Sequence, residues 1–300
     1  MNHIQPPYLK SGDTVAIVAT ARKVAREELT PAVNALESWG LQVILGPNLF
    51  EEDHQYGGTD ERRAEALQWA IDLPHVKAIL CARGGYGTMR LMNRVNLSPL
   101  KHQPKILAGF SDITVLHSAL NNIGLSSLHS TMPLSWPNNT PEAIESLRKA
   151  LFGVKSSVEL HANKLNRVGL AEAQLVGGNL SLLYALSGTP YKLETDGKIL
   201  FIEDLDEYLY HIDRMMLSLK MSGALANLAG LVVGGMSDMK DNTVPFGKTA
   251  EEIIREHVNA YNYPVCFDFP CGHIADNQAL WLGKLYELEV SGSGASLRNL

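Results

Sequence analysis

Short apolar runs alternate with amphipathic stretches through the first half of the chain. Thr14–Ala19 is continuously apolar after the turn Lys10-Ser11-Gly12-Asp13, the signature of a strand buried on both faces of a parallel sheet. Leu29, Val33, Leu36 and Trp39 then recur at spacings of three and four, which predicts a helix over Glu28–Trp39 closed by Gly40. The alternation continues with a strand at Gln42–Leu45, a helix at Thr59–Ile71 N-capped by Thr59, and a strand at Val76–Cys81. A glycine loop follows, then a helix from about Met89, a strand at Lys105–Gly109 and a helix at Asp112–Asn122. Strands and helices in strict alternation imply right-handed βαβ units around a mostly parallel sheet. The loops after Ala19, Cys81 and Phe110 then line one carboxyl edge, where open α/β sheets bind ligands.

The pattern changes after about Met132, where Pro133, Pro137 and Pro141 punctuate a polar stretch before a helix at Pro141–Phe152. Residues 153–172 read as irregular connection, which divides the chain into a domain at 1–152, a linker, and a second domain at 173–300. The second domain carries a helix at Asn179–Ser187, strands at Lys198–Ile202, Gly230–Val233 and Pro264–Phe267, and a helix bearing His211 and Asp213.

Composition adds limits. With 300 residues, 45% hydrophobic and 19% charged, the chain can build true cores and is not a disordered sequence. The balance of 26 basic against 32 acidic residues, net −6, with no basic run, argues against a nucleic-acid partner. No apolar stretch reaches the length of a membrane span, and Met1–Gly12 lacks the basic-then-apolar order of a secretory signal. Three cysteines, Cys81, Cys266 and Cys271, do not make a disulfide framework, so a reduced, cytoplasmic protein is expected.

The sharpest chemical signal is Gly109-Phe110-Ser111-Asp112, a serine on a strand-to-helix turn. Such a turn lifts a hydroxyl above the sheet edge as a nucleophile elbow, though the second glycine of Gly-x-Ser-x-Gly is missing. The alternative is that Ser111 simply caps the following helix. Cys81-Ala82-Arg83-Gly84-Gly85-Tyr86-Gly87 lets backbone N–H groups approach a ligand, as an oxyanion or carboxylate cradle or as a plain tight turn. It is neither a phosphate loop nor a dinucleotide fingerprint. A serine nucleophile needs a base; of the 10 histidines, His273 stands out on the turn Phe269–His273 directly after a strand. The group that orients such a base is a fixed acid, and Glu203 and Asp204 close the strand Lys198–Ile202. Metal chemistry is the weaker reading. Glu207 and His211 are four apart without a His-Glu-x-x-His motif, and Cys266, Cys271 and His273 lack a fourth ligand at suitable spacing. No metal and no cofactor are expected.

Taken in order, Ala82–Gly87, Gly109–Asp112, Gly177-Gly178-Asn179-Leu180, Phe201-Ile202-Glu203-Asp204 and Gly272-His273 resemble the LD-carboxypeptidase family. These serine peptidases include murein tetrapeptide carboxypeptidases and microcin C immunity peptidases. The resemblance implies an N-terminal Rossmann-like domain carrying the nucleophile, a C-terminal β-rich α/β domain supplying acid and base, and a homodimer. It maps a catalytic triad onto Ser111, Glu203 and His273, with the N–H groups of Gly85 and Asp112 as oxyanion hole and Arg83, Tyr86 and Asn179 as candidates for binding substrate. A structural role is the alternative for Arg83 and Tyr86. The implied substrate is a cytoplasmic muropeptide cut between diaminopimelate or lysine and D-alanine, with activity rising through about pH 6 to 7 as an ordinary histidine loses its proton. His129-Ser130-Thr131 departs from the family's frequent His-Gly-Pro. The chain is short for the immunity branch, which favours murein recycling. The rivals are an immunity-type peptidase acting on peptidyl or aminoacyl adenylates, with Trp136 or Trp281 as nucleobase platform, and a non-catalytic binder on the same scaffold.

Overall fold

The computed structural model describes residues 3–300. Its N-terminal half follows the predicted alternation: β1 (Thr14–Val18), α1 (Arg26–Ser38), β2 (Gln42–Leu45), α2 (Asp60–Asp72), β3 (Val76–Cys81), β4 (Ile106–Gly109), α3 (Thr114–Asn122), β5 (Ser127–His129) and α4 (Pro141–Leu151). Every residue of β1 is buried, as its unbroken apolar run requires. Gly40 takes the left-handed φ of +83° that ends α1, and Thr59 Oγ accepts the Arg62 N–H to start α2. The helix expected from Met89 is absent; only short 3-10 turns form at Thr88–Leu91 and Ser98–Lys101. Donors there are taken by side chains instead, Thr88 N–H by Asp112 and Asn96 N–H by Gln68, and Pro99 blocks continuation.

The second half runs β6 (Ser157–His161), β7 (Gly169–Asn179), α5 (Leu180–Leu186), β8 (Ile199–Leu205), α6 (Leu209–Met221), β9 (Gly230–Ser237), α7 (Ala250–His257), β10 (Val265–Cys266), β11 (Leu280–Leu282), β12 (Leu285–Val290) and β13 (Gly294–Asn299). The stretch read as irregular connection therefore holds β6 and the start of β7. Serine, glutamate and histidine alternate there with only half-buried valine and leucine, the mark of a sheet edge rather than a core strand. β8 likewise runs past Ile202 through two carboxylates that a hydropathy reading takes as its end.

The chain is a two-sheet α/β protein. The six-stranded sheet has the order β11-β5-β4-β3-β1-β2, all parallel except β11, which returns from the second half to pair antiparallel with β5. The seven-stranded sheet, β10-β9-β8-β7-β12-β13-β6, is parallel from β10 to β7 and antiparallel from β7 to β6. Two glycines set how the second half is built and how it joins the first. A Cβ on Gly177 would stand 1.9 Å from the Phe201 carbonyl oxygen of β8, and one on Gly178 would stand 2.5 Å from Thr114 Oγ1 of α3. That hydroxyl accepts the Asn179 N–H at 2.9 Å, tying the end of β7 to the helix behind Ser111.

Gly177, at φ +134°, leaves neither space nor a conformation for a side chain. Gly177→Ala is expected to destabilise the fold by about 2 kcal/mol or more, measured as a lower urea midpoint. An unchanged midpoint would mean that β7 and β8 do not approach in this way.

Candidate active site

β4 ends at Gly109, Phe110 stays extended, and Ser111 turns to φ +62°, a left-handed conformation that costs an L-residue roughly 1–3 kcal/mol. Gly109 permits the turn, because a Cβ there would stand 2.8 Å from Ile113 Cγ1. Ser111 does not cap the helix; its Oγ lies 3.0 Å from His273 Nε2. Behind the elbow, buried His117 bridges the Gly109 carbonyl (2.9 Å) and the Ser127 hydroxyl (2.8 Å). A carbonyl can only accept, so Nε2 carries the proton. Burial pushes the pKa of this ring down to about 4, which keeps it neutral.

His273 follows Gly272, whose φ of +105° and missing Cβ bring the turn against β8; a Cβ would stand 2.6 Å from Glu203 Oε2. Asn277 Oδ1 fixes the turn by accepting the Gly272 N–H at 2.8 Å. The His273 ring then donates Nδ1–H to Glu203 Oε2 at 2.6 Å, and the His273 backbone N–H donates to the same oxygen at 3.2 Å. With Nδ1 protonated, Nε2 is the lone-pair nitrogen and accepts from Ser111. Burial works to lower the His273 pKa, but the charge and hydrogen bond of Glu203, helped by Asp204, outweigh it and hold the pKa above the ordinary 6.5.

Successive residues of a strand face opposite ways, so Glu203 and Asp204 have separate surroundings. Glu203 is fully buried. Asp204 accepts from Asn179 Nδ2 and the N–H groups of Ser181 and Leu205. Burial, reinforced by the Glu203 charge, raises its pKa to about 7.

The glycine loop lies against the elbow: a Cβ on Gly84 would be 3.4 Å from Ser111 Cβ and 3.5 Å from the Asp112 nitrogen. Gly85, at φ +104°, follows, and Asp112 N–H sits in the first turn after the elbow, where helices leave donors without an internal partner. The Asp112 carboxylate accepts the Thr88 N–H at 2.8 Å. Gly84, Gly85 and Ser111 open onto a cleft of about 460 Å³ between the halves, lined also by Arg22, Arg83, Asp204, Glu207 and His273 among others.

The structure thus brings Ser111, Glu203 and His273 into one hydrogen-bonded row beside Gly84, Gly85 and Asp112. Arg83 lines the cleft and donates Nη1 to the Lys23 carbonyl at 3.0 Å. Asn179 reaches the cleft wall, but its side chain caps α5 and holds Asp204. Tyr86 is outside the lining, its half-exposed ring 6.2 Å from that of Tyr56. Arg22 and Ser181 were not picked out by sequence, although Arg22 lies just beyond β1 at the predicted ligand-binding edge.

Trp136 and Trp281 are buried away from the cleft, against Trp39 and Tyr8 respectively, so neither offers a nucleobase platform there. Glu207 pairs with His211 at 2.5 Å as an i,i+4 contact. Cys266 and Cys271 are buried, which pushes both thiols upward, Cys266 to about 12. Among the described residues no group of three or more His, Cys, Asp or Glu side chains is arranged to hold a metal ion.

The geometry predicts an NMR titration of the His273 ring with a midpoint above 6.5. Glu203→Gln removes the charge that raises it, so the midpoint should fall. A midpoint unmoved by Glu203→Gln would break the assigned pairing.

Residues 15–130 match the family model described as the LD-carboxypeptidase N-terminal domain, and residues 172–288 match the LD-carboxypeptidase C-terminal domain. The chain is 35% identical over 289 residues to the probable murein peptide carboxypeptidase of Bacillus subtilis, covering 93% of this chain and 89% of that protein. The solved structure of muramoyltetrapeptide carboxypeptidase from Oxalobacter formigenes superposes with a TM-score of 0.88 at 28% identity, over 95% of this chain and 98% of that one. An MccF-like protein from Bacillus anthracis has a TM-score of 0.86 at 23% identity, over 99% of both chains, and shares the fold. Among the described residues no helix is long and apolar enough to cross a membrane.

Proposed function

The chain belongs to the LD-carboxypeptidase family and is a hydrolase of that family, and from that premise we propose that it releases the terminal D-alanine of muropeptides with Ser111 as nucleophile, His273 as base and Glu203 as orienting acid. The observation that carries this reading is the unbroken row Glu203 Oε2–His273–Ser111 Oγ, with hydrogen-bond lengths of 2.6 and 3.0 Å. A non-catalytic binder has no need of a fully buried carboxyl group aimed at a histidine aimed at a strained serine.

In this mechanism His273 Nε2 takes the Ser111 proton as Oγ attacks the carbonyl carbon of the bond before D-alanine. Negative charge gathers on the carbonyl oxygen, where the N–H groups of Gly85 and Asp112 receive it; one such donor is worth about 3–4 kcal/mol. The imidazolium, stabilised by Glu203, returns the proton to the departing D-alanine nitrogen, leaving an acyl ester on Ser111. Water enters, gives its proton to Nε2 and attacks the ester. The tetrahedral adduct collapses, Ser111 recovers its proton, and the shortened peptide leaves.

The muropeptide reading is supported by the names of the Bacillus subtilis and Oxalobacter formigenes relatives. The adenylate reading loses its aromatic platforms, since both tryptophans proposed for it lie away from the cleft. The proposed setting is the cytoplasm, where the free cysteines stay reduced, and the proposed assembly is the homodimer that the family resemblance implies.

Release of D-alanine from L-Ala-D-Glu-meso-diaminopimelate-D-Ala is the direct test. Ser111→Ala should lower turnover on the order of a millionfold, by analogy with other serine triads; near-normal release would remove Ser111 from the mechanism. The neutral imidazole is the active form, so kcat/KM should rise with pH along a limb centred above 6.5. That places the limb higher than an ordinary histidine gives, because Glu203 stabilises the protonated ring. A flat profile from pH 5.5 to 8.5 would exclude His273 as base.

A further inference from the structure

Arg22 sits in the loop after β1 and lies over the glycine loop. A Cβ on Gly85 would stand 2.7 Å from its Cδ and 2.9 Å from its Nε. The absence of a side chain at Gly85 is what allows the arginine to lie there. Its guanidinium lines the cleft, is close enough to act electrostatically on the Asp112 carboxyl, and makes no hydrogen bond or ion pair among the described residues. Unlike Arg83, which donates to the Lys23 carbonyl, its donors are all available.

A carboxypeptidase must recognise a free terminal carboxylate, and covalent geometry limits where. The terminal carboxyl carbon is three bonds from the scissile carbonyl carbon, within about 4 Å of it. The receiving cation must therefore stand beside the elbow. A Cβ on Gly84 would meet Ser111, and Arg22 lies on the next residue of the same loop. The facing wall carries carboxyls instead, Asp204 hydrogen-bonded to Asn179 and to backbone N–H groups, Asp206 paired with Lys240 and Glu207 paired with His211, so the open cationic donors of the cleft lie on the Arg22 side.

We infer that Arg22 receives the terminal carboxylate of the substrate and is the residue that makes this site select free peptide ends. The inference rests on the carboxypeptidase reading for its ligand but concerns recognition, not bond cleavage. A guanidinium offers paired N–H donors that match a carboxylate, which distinguishes it from a simple positive charge.

The experiment measures binding by calorimetry to Ser111→Ala protein, which cannot turn the ligand over by the proposed route. The ligands are L-Ala-D-Glu-meso-diaminopimelate-D-Ala and the same peptide ending in D-alaninamide. The acid should bind about 10- to 100-fold more tightly than the amide, the range of a charge-assisted hydrogen bond. With Arg22→Gln added, the two should bind alike, and Arg22→Lys should restore part of the preference. Arg22 is exposed, so the melting temperature should stay the same in each variant. A preference that survives Arg22→Gln, or acid and amide binding alike to the Arg22 protein, overturns the inference. D-alanine release by the protein with Ser111 intact is assayed in parallel. Release without acid selectivity retains the hydrolytic reading and removes Arg22; selectivity that depends on Arg22 without release does the reverse. Binding of neither peptide at millimolar concentration overturns the inference.

Discussion

A carboxylate with no exposure to water, at the end of a central strand, is the constraint on which this structure turns. Burying an ionised group without partners costs far more than a domain can bear, so Glu203 demands a donor at a fixed place. His273 meets that demand twice, through Nδ1 and through its backbone N–H on one oxygen. Nothing larger than glycine can precede it, since a Cβ at 272 would stand 2.6 Å from that same oxygen. The need to satisfy a buried charge thus fixes the turn, the ring and the tautomer together, and leaves the opposite ring nitrogen with a lone pair facing Ser111.

Ser111 comes from the other half of the chain, so the row depends on how the two sheets are joined. Three features lock that joint. β11 crosses over to complete the first sheet beside β5, Gly178 lets β7 lie on Thr114, and Asn179 N–H bonds to the Thr114 hydroxyl. Thr114 begins the helix that follows the elbow, so this contact holds the strained serine and the strand beside β8 in mutual register. A left-handed serine persists only where its surroundings over-determine it, and His117 on the Gly109 carbonyl adds to that restraint.

Much of this was legible in sequence because parallel α/β units write their period plainly. β2 and β3 were read to the residue, and strand ends marked Ser111, His273 and the pair Glu203 and Asp204 as candidates, with the choice of Glu203 resting on the family resemblance. The Gly-Gly-Asn segment was legible as a motif, but not as a joint, because a backbone contact to a helix distant in sequence has no local signature. The same reason hides β11, three residues whose partner is far away in the chain. β6 was missed because an edge strand need not be apolar, and the helix at Met89 was overpredicted because its amides answer to Asp112 and Gln68. Arg22 was invisible for a related reason: only the structure shows a side chain lying over a distant glycine.

The arrangement of charge in the cleft explains why two adjacent acids on one strand are not redundant. Glu203 lies on the far side of His273 from Ser111, and Asp204 also raises the pKa of that ring. Negative charge is therefore gathered where it stabilises the protonated His273 ring. On the other side of Ser111 lie the glycine loop, the Asp112 N–H and the Arg22 guanidinium, where the proposed mechanism develops negative charge on the carbonyl oxygen. The Asp112 carboxylate, next to that region, is occupied by the Thr88 N–H. The field across Ser111 thus runs in the direction in which the proposed proton transfer and attack would separate charge. Dipoles fixed in that direction before reaction need no reorganisation during it, which is the source of catalytic electrostatic stabilisation.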